Sequence, residues 1–190
     1  MNHHIEKQNL RHTAREHRHK IQQHPDYAEA AAKNFVDHFL SDIPKSVALY
    51  MPSGSELDTF PLAEILWARG ATVLLPVIDG EKRILKFVPW QKDSTLQKNR
   101  FGIFEPVSDE FFIPDIILVP LLAFDQQGYR LGQGGGYYDA TLADMRAKKD
   151  LIAVGYAYAE QAVLFALPRE KHDQRLDFVV TPQKIFDFRE

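Results

Sequence analysis

Residues Arg130 to Asp139 read Arg-Leu-Gly-Gln-Gly-Gly-Gly-Tyr-Tyr-Asp, a run in which several residue types able to handle an anion fall together. Glycines at 132, 134, 135 and 136 permit backbone conformations closed to other residues and let a ligand approach the main chain. They stand directly before a predicted helix. The first N–H groups of a helix are unpaired and its dipole is positive at that end, so such a turn can hold a phosphate. Arg130 adds a permanent planar charge matched to phosphate oxygens. Asp139 falls in the first helical turn, where a carboxylate could take magnesium carried by the phosphates. The turn is not a Walker A loop, because the Gly-Lys-Ser/Thr ending is missing. Nor does it match the dinucleotide fingerprint, which needs a third glycine at another offset. Glycine content alone leaves two readings of equal weight, a phosphate site or a tight strand-to-helix connection.

Other residues could serve chemistry nearby. Lys7 and Arg11 lie one helical turn apart and share a face. Exposed pairs of this kind are mostly solvated, and the basic residues at 15, 18 and 20 fit a solvated face. Glu56 follows an apolar run ending near Tyr50, at the end of a strand where ligand sites of α/β proteins collect. Its plainer reading is a loop residue beside a helix cap at Asp58. Tyr137 and Tyr138 would more often pack than bind. Because neighbouring helical positions face different ways, one can reach a ligand while the other packs. Trp90 could stack on a flat ring or cover the edge of the core. His172 is either a general base or a surface histidine. The histidines at 3, 4, 12, 17 and 19 receive no function.

The elements that must position these residues follow from periodicity. Residues 4–22 give a helix with a weak apolar stripe (Ile5, Leu10, Ala14, Ile21), interrupted by Pro25. Residues 26–40 give a stronger amphipathic helix, closed by Pro44. Then strands and helices alternate. A strand is expected at Ser46–Tyr50, and a helix capped at Asp58 or Thr59 runs to Trp67–Arg69, with Gly70 at its C-terminus. A strand at Thr72–Val77 turns at Asp79-Gly80 into Ile84–Val88. Further strands fall at Asp115–Val119, Leu151–Ala157 and Phe178–Val180, with helices at Tyr137–Lys148 and Glu160–Ala166. The stretch 89–114 reads as polar and irregular, a candidate flap. Alternation with continuous apolar runs predicts an α/β fold around a mainly parallel, doubly covered sheet.

The chain has 190 residues, enough for one domain with a substantial core. Its net charge of −3 gives no global basic excess for nucleic acid. The absence of cysteine excludes disulfides, thiolate catalysis and cysteine zinc sites. No apolar run reaches membrane-helix length, and the polar, histidine-rich start is not a secretory signal. The cytoplasm is the expected compartment.

The segment Val119-Pro120-Leu121-Leu122-Ala123-Phe124-Asp125, continued through Gly128-Tyr129-Arg130 to Asp139, resembles the signature of the 5-formyltetrahydrofolate cyclo-ligase family, also called methenyltetrahydrofolate synthetases. It matches at every fixed position. Lys7 and Arg11 match the family's N-terminal Lys-x-x-x-Arg, Glu56-Leu57-Asp58-Thr59 its acidic segment, and Phe101-Gly102-Ile103-Phe104-Glu105-Pro106 its Gly-Ile-x-Glu-Pro element. Asp173, ahead of Leu176-Asp177, matches a C-terminal acidic position.

The resemblance implies a single cyclo-ligase domain over residues 1–190, built as a three-layer α/β/α sandwich of the isomerase and CoA-transferase-like type. It implies that ATP and Mg2+ convert 5-formyltetrahydrofolate, with one or several glutamates, to 5,10-methenyltetrahydrofolate, ADP and phosphate. ATP would be held by Lys7, Arg11, Arg130, Leu131, Gly132, Gln133, Gly134, Gly135, Gly136, Tyr137 and Tyr138. The folate would meet Met51, Glu56 and the stretch from Gln133 to Tyr137. Asp139 and Asp173 would hold magnesium, and Arg130 and Tyr137 would act in catalysis. No nucleic-acid or membrane partner is implied, and a monomer is expected. A non-catalytic folate or nucleotide carrier, or another sugar-phosphate or acyl-CoA enzyme on the same fold, are the competing functions.

Overall fold

The computed structural model describes residues 3–21, 24–39, 46–78, 80 and 83–189. Two helices lead, α1 (His3–Lys20) and α2 (Tyr27–Phe39). Then come β1 (Ser46–Ala48), α3 (Phe60–Ala68), β2 (Thr72–Ile78) and β3 (Leu85–Pro89). The stretch expected to be irregular carries two short strands, β4 (Leu96–Lys98) and β5 (Phe104–Pro106), paired as a hairpin. After β6 (Ile116–Val119), a second small ribbon forms from β7 (Ala123–Phe124) and β8 (Arg130–Leu131). Helix α4 (Tyr137–Arg146), β9 (Ile152–Tyr156), β10 (Phe178–Val180) and β11 (Ile185–Asp187) complete the order.

The main sheet runs β11-β10-β9-β6-β1-β2-β3. Its five inner strands are parallel, and the edge strands β3 and β11 are antiparallel. The predicted hairpin into β3 is present, although Asp79 of its turn lies outside the described residues, as do Leu40 and Pro44. Gly80 keeps the positive φ of 72° that a glycine turn residue supplies.

Side chains alternate between two cores, as the period of two in a strand demands. Val47, Ile116, Leu118, Val154, Phe178 and Val180 face one cluster, which α2 and α3 cover with Phe35, Val36, Leu62 and Leu66. Ala48, Ile117, Val119, Ala153 and Val179 face the other, covered by Leu142 and Met145 of α4. The expected three layers are therefore present. Each fully buried Phe or Leu in these layers contributes about 1.5–3 kcal/mol of burial free energy.

Local chemistry sets the helix ends. Thr59 is the N-cap of α3, but its hydroxyl donates to Tyr50 O at 2.8 Å, while Asp58 Oδ1 accepts from Phe60 N at 2.9 Å. Gly70 follows α3 with φ 73°, its N–H donating to Trp67 O. The expected helix over Glu160–Ala166 shrinks to one 3-10 turn, Ala159–Gln161. Gln161 bonds both Tyr158 N and the carbonyls of Leu121 and Leu122, so tertiary partners take the place of a helical ladder. Strand β11 was not foreseen: at three residues beside charged neighbours, it carries little periodic signal.

Trp90 belongs to the core edge. It is buried, meets Trp67 and Phe60 edge-on at 4.8 and 5.3 Å, and accepts the Trp67 indole N–H through its carbonyl at 2.8 Å.

Candidate active site

Helix α1 joins the loops at the carboxyl ends of the parallel strands. From successive turns it bonds the segments that follow β1, β6, β8 and β9. Lys7 Nζ donates to Glu170 Oε2 at 2.9 Å and Asp173 Oδ2 at 2.7 Å. Arg11 Nε donates to Gly132 O at 3.1 Å, and Arg15 reaches Gln133 Oε1 at 2.9 Å. Arg18 reaches Ser55 Oγ, Glu56 Oε1 and Leu121 O. The spacing 7, 11, 15, 18 is one helical face. That spacing was the signal for Arg15 and Arg18; a basic helix in isolation looks solvated, whereas only Lys20 of the basic residues at 15, 18 and 20 is exposed.

Between α1, the loop after β1, the β4–β5 hairpin and the glycine turn lies a cavity of about 830 Å³. It gathers the predicted site residues Lys7, Arg11, Met51, Glu56, Arg130, Tyr137, Tyr138, Asp139 and Asp173, with Leu131, Gly132, Gln133, Gly134, Gly135 and Gly136. It also takes in residues that sequence reading passed over: Tyr50, Arg83, Asn99 and Glu170. Six Lys or Arg side chains (7, 11, 15, 18, 83, 130) meet four carboxylates (56, 139, 170, 173), so the cleft is cationic in a chain of net charge −3. A concave site of this sign concentrates anions.

The glycine turn joins β8 of the small ribbon, not a strand of the main sheet, to α4. Gly136 is the N-cap of α4 at φ 72° and supplies no side-chain cap, so the first helical N–H groups are left to a ligand or water. Gly134 sits at φ 101°, with the Arg11 guanidinium 3.3 Å from where a Cβ would stand. Glycine there lets the main chain and a cation approach the same space. Arg130, its side chain 4% exposed, donates to Asp139 Oδ1 at 2.8 Å and Gln174 O at 2.7 Å. Asp139 Oδ1 also accepts from Gln174 N at 2.9 Å. The arginine is thus fixed in place by its own partners.

Glu56 lines the same cavity and is largely buried. Burial pushes its carboxyl above the ordinary value of 4.5, while Arg18, the Ser53 N–H and Gln133 pull it down. The Tyr50 and Tyr138 hydroxyls are driven up chiefly by burial and next by the Glu56 charge, so both stay neutral. Tyr137 and Tyr138 both line the cavity, and the Tyr137 hydroxyl accepts from Arg100 at 2.8 Å. Phe101 meets the Tyr137 ring edge-on at 6.1 Å and, with Ile103, brings the β4–β5 hairpin onto the cavity. The stretch 89–114 thus supplies lining residues of the cavity through this hairpin.

Asp139 and Asp173 stand in different polar groups. Asp139 is bonded to Arg130, whereas Asp173 shares Lys7 with Glu170. Glu170, His172 and Asp173 offer ligand atoms within 4.8 Å of one another. Lys7 holds the Glu170 carboxyl below its ordinary value. His172 is 71% exposed beside these two carboxylates, at 3.6 and 4.0 Å. That places it beside two carboxylates whose oxygens are close enough together to hold a cation.

A cationic cleft at the carboxyl ends of parallel strands, lined by both an uncapped helix start and a buried carboxylate, marks an α/β enzyme of small anionic substrates. The sequence profile of the 5-formyltetrahydrofolate cyclo-ligase family matches residues 3–182. The Escherichia coli (strain K12) 5-formyltetrahydrofolate cyclo-ligase is 37% identical over 173 residues, 88% of this chain and 94% of its own. Its Haemophilus influenzae counterpart is 37% identical over 163 residues, 80% and 83% of the two chains. The solved structure of Aquifex aeolicus 5,10-methenyltetrahydrofolate synthetase superposes with a TM-score of 0.80 at 30% identity, covering 97% of this chain and 93% of that one. The protein belongs to the 5-formyltetrahydrofolate cyclo-ligase family. Its activity is the ATP-dependent conversion of 5-formyltetrahydrofolate to 5,10-methenyltetrahydrofolate.

Proposed function

We propose that the reaction runs through phosphorylation of the formyl oxygen in this cleft. An amide oxygen is a poor leaving group. Attack of that oxygen on the γ-phosphorus of ATP releases ADP and leaves an iminium phosphate. The N10 lone pair then attacks the formyl carbon, the N10 proton is lost to solvent, and inorganic phosphate departs with the C–O bond. No protein nucleophile is needed; the protein positions the oxygen in line and neutralises charge.

The observation that carries this reading is one cationic cavity that gathers the glycine turn, the uncapped start of α4 and the Glu56 carboxylate. The N–H groups at the start of α4, with Arg130, Arg11 and Lys7, would take the phosphates of ATP. Leu131 to Tyr138 would frame them. Glu56 would accept N–H donors of the pterin, with Met51 against the ring and Tyr137 beside the reacting end. Arg130, clamped by Asp139 and Gln174, would meet the developing charge without reorganising.

The donor set suits magnesium. Asp173 and Glu170 offer oxygens close together, and the bonds to Asp139 fall on Oδ1. Magnesium takes one or two carboxylates together with phosphate oxygens and water. Bound there, it would withdraw charge from the phosphates. The protein would serve as a cytoplasmic monomer acting on mono- or polyglutamylated folate. No helix among the described residues is long and apolar enough to cross a membrane.

Growth of the methenyl chromophore from 5-formyltetrahydrofolate tests the whole reading. It should require ATP and magnesium and be lost in Arg130→Ala. In Asp139→Ala the magnesium requirement should shift to higher concentration. Full turnover by Arg130→Ala would remove the phosphate-binding role of the turn.

A further inference from the structure

Arg18 has no part in the reading above, yet it is one of two buried cationic residues among those described, with 4% of its surface exposed. Its guanidinium ties three segments together. Nε donates to Ser55 Oγ at 3.1 Å, and Nη1 donates to Glu56 Oε1 at 3.3 Å and to Leu121 O at 3.2 Å. Two of these partners are adjacent residues of the loop after β1, so the arginine grips that loop at the carboxylate and at the residue before it. The other Glu56 oxygen accepts from Ser53 N at 3.0 Å. The carboxylate is therefore held from both sides, and its plane is fixed before any ligand arrives.

We infer that Arg18 is the positioning residue for folate recognition: it holds Glu56 ionised and aimed, so that a ring bearing adjacent N–H donors meets a preset acceptor. This rests on Glu56 being the carboxylate that receives the folate. The physical need is plain. A carboxylate this far from water favours its protonated form, and a protonated acid cannot accept two N–H bonds through both oxygens. The charged groups facing Glu56 are few. Arg18 approaches from α1, Gln133 bonds it from the glycine turn, and the neutral hydroxyls of Tyr50, just after β1, and Tyr138, on α4, lie within range of its charge. Arg18 alone of these brings a positive charge to the carboxylate. A lysine would keep the charge but could not bridge Ser55, Glu56 and Leu121 from one planar group.

The test compares Arg18→Gln, Arg18→Lys, Glu56→Gln and the double variant Arg18→Gln/Glu56→Gln in the full chain. Steady-state constants for 5-formyltetrahydrofolate and for ATP are measured between pH 6 and 8. Arg18→Gln should raise the folate KM about tenfold or more, the loss of one charge-assisted contact, while the ATP KM stays within about twofold. Its folate KM should climb as pH falls, because the unpaired carboxylate takes up a proton. Arg18→Lys should restore much of the affinity and flatten that slope. In the double variant the Arg18 effect should largely vanish, since its target is gone.

If Glu56→Gln leaves the folate KM unchanged, the reading of Glu56 fails. If Glu56→Gln weakens folate but Arg18→Gln does not, or if the two effects add, the inference about Arg18 is overturned. Should Arg18→Gln fold poorly, Arg18→Lys decides: a lower unfolding midpoint with an unaltered folate KM and pH slope makes the arginine a structural clamp only.

Discussion

Replacing Gly134 by alanine tests the glycine turn where backbone and charge meet. Two costs are visible. Alanine at φ 101° is strained by about 1–3 kcal/mol. Its Cβ would also stand 3.3 Å from Cζ and Nε of Arg11, so the guanidinium must give by a few tenths of an ångström. That loosens the 3.1 Å bond from Arg11 to Gly132 O, one of the contacts that join α1 to the turn. If the loop holds its shape, the unfolding midpoint should fall by about 2–12 °C, at roughly 2–4 °C per kcal/mol for a chain of this size. If the loop relaxes instead, less stability is lost but the N–H groups and Arg11 are misaligned. Misalignment costing ~1.4 kcal/mol of phosphate binding raises the ATP KM about tenfold. Gly132→Ala is the internal comparison for stability, because a Cβ there meets nothing within 4 Å and no positive φ is required. The assays are thermal unfolding and chromophore formation against ATP concentration. Gly134→Ala with the wild-type midpoint and the wild-type ATP KM would refute both the strain argument and the role of the turn.

Two further perturbations act through charge. Lys7→Met removes the ammonium that holds Glu170 and Asp173 together. The Glu170 carboxyl is depressed in the fold, so the pairing contributes stability above its ordinary value of 4.5 and loses it as pH falls through the lowered folded value. The acid limb of the midpoint-against-pH curve should therefore flatten in the variant, and an unchanged limb would deny the pairing. Glu56→Gln has the opposite sign. Burial raises the Glu56 carboxyl, so the folded state favours the protonated acid, and that stability is present at low pH and lost as pH rises through the raised value. Glutamine should thus raise the midpoint at pH 7–8 while weakening folate. A variant less stable at pH 8 would mean that the charge on Glu56 contributes more through Arg18 than burial costs it.

The readings from sequence succeeded where the signal was local. The parallel strands announced themselves as apolar runs between breakers, because a doubly covered strand has no polar face to show. The caps at Asp58 and Thr59 and the glycine at 70 marked α3 within a residue or two. The glycine turn was visible because its conformations exclude most other residues, and Gly134 and Gly136 do stand at positive φ. Its flanking motif, more than its physics, pointed to folate chemistry.

What the sequence could not decide was which charges would be taken out of water. Lys7, Arg11, Arg15, Arg18 and Lys20 look alike along a polar helix, and only docking α1 against the loops after β1, β6 and β9 buries Lys7 and Arg18 and leaves Lys20 exposed. Trp90 had two possible fates, settled by the rings of Phe60 and Trp67 that happen to lie against it. Glu170 carried no motif and, beside Asp173, became a partner of Lys7 across more than 160 residues of chain. Residue type and spacing set the local conformation and the chemical repertoire. Burial and pairing between distant segments, which set charge state and orientation, arise only when the tertiary structure removes water and brings the partners within reach.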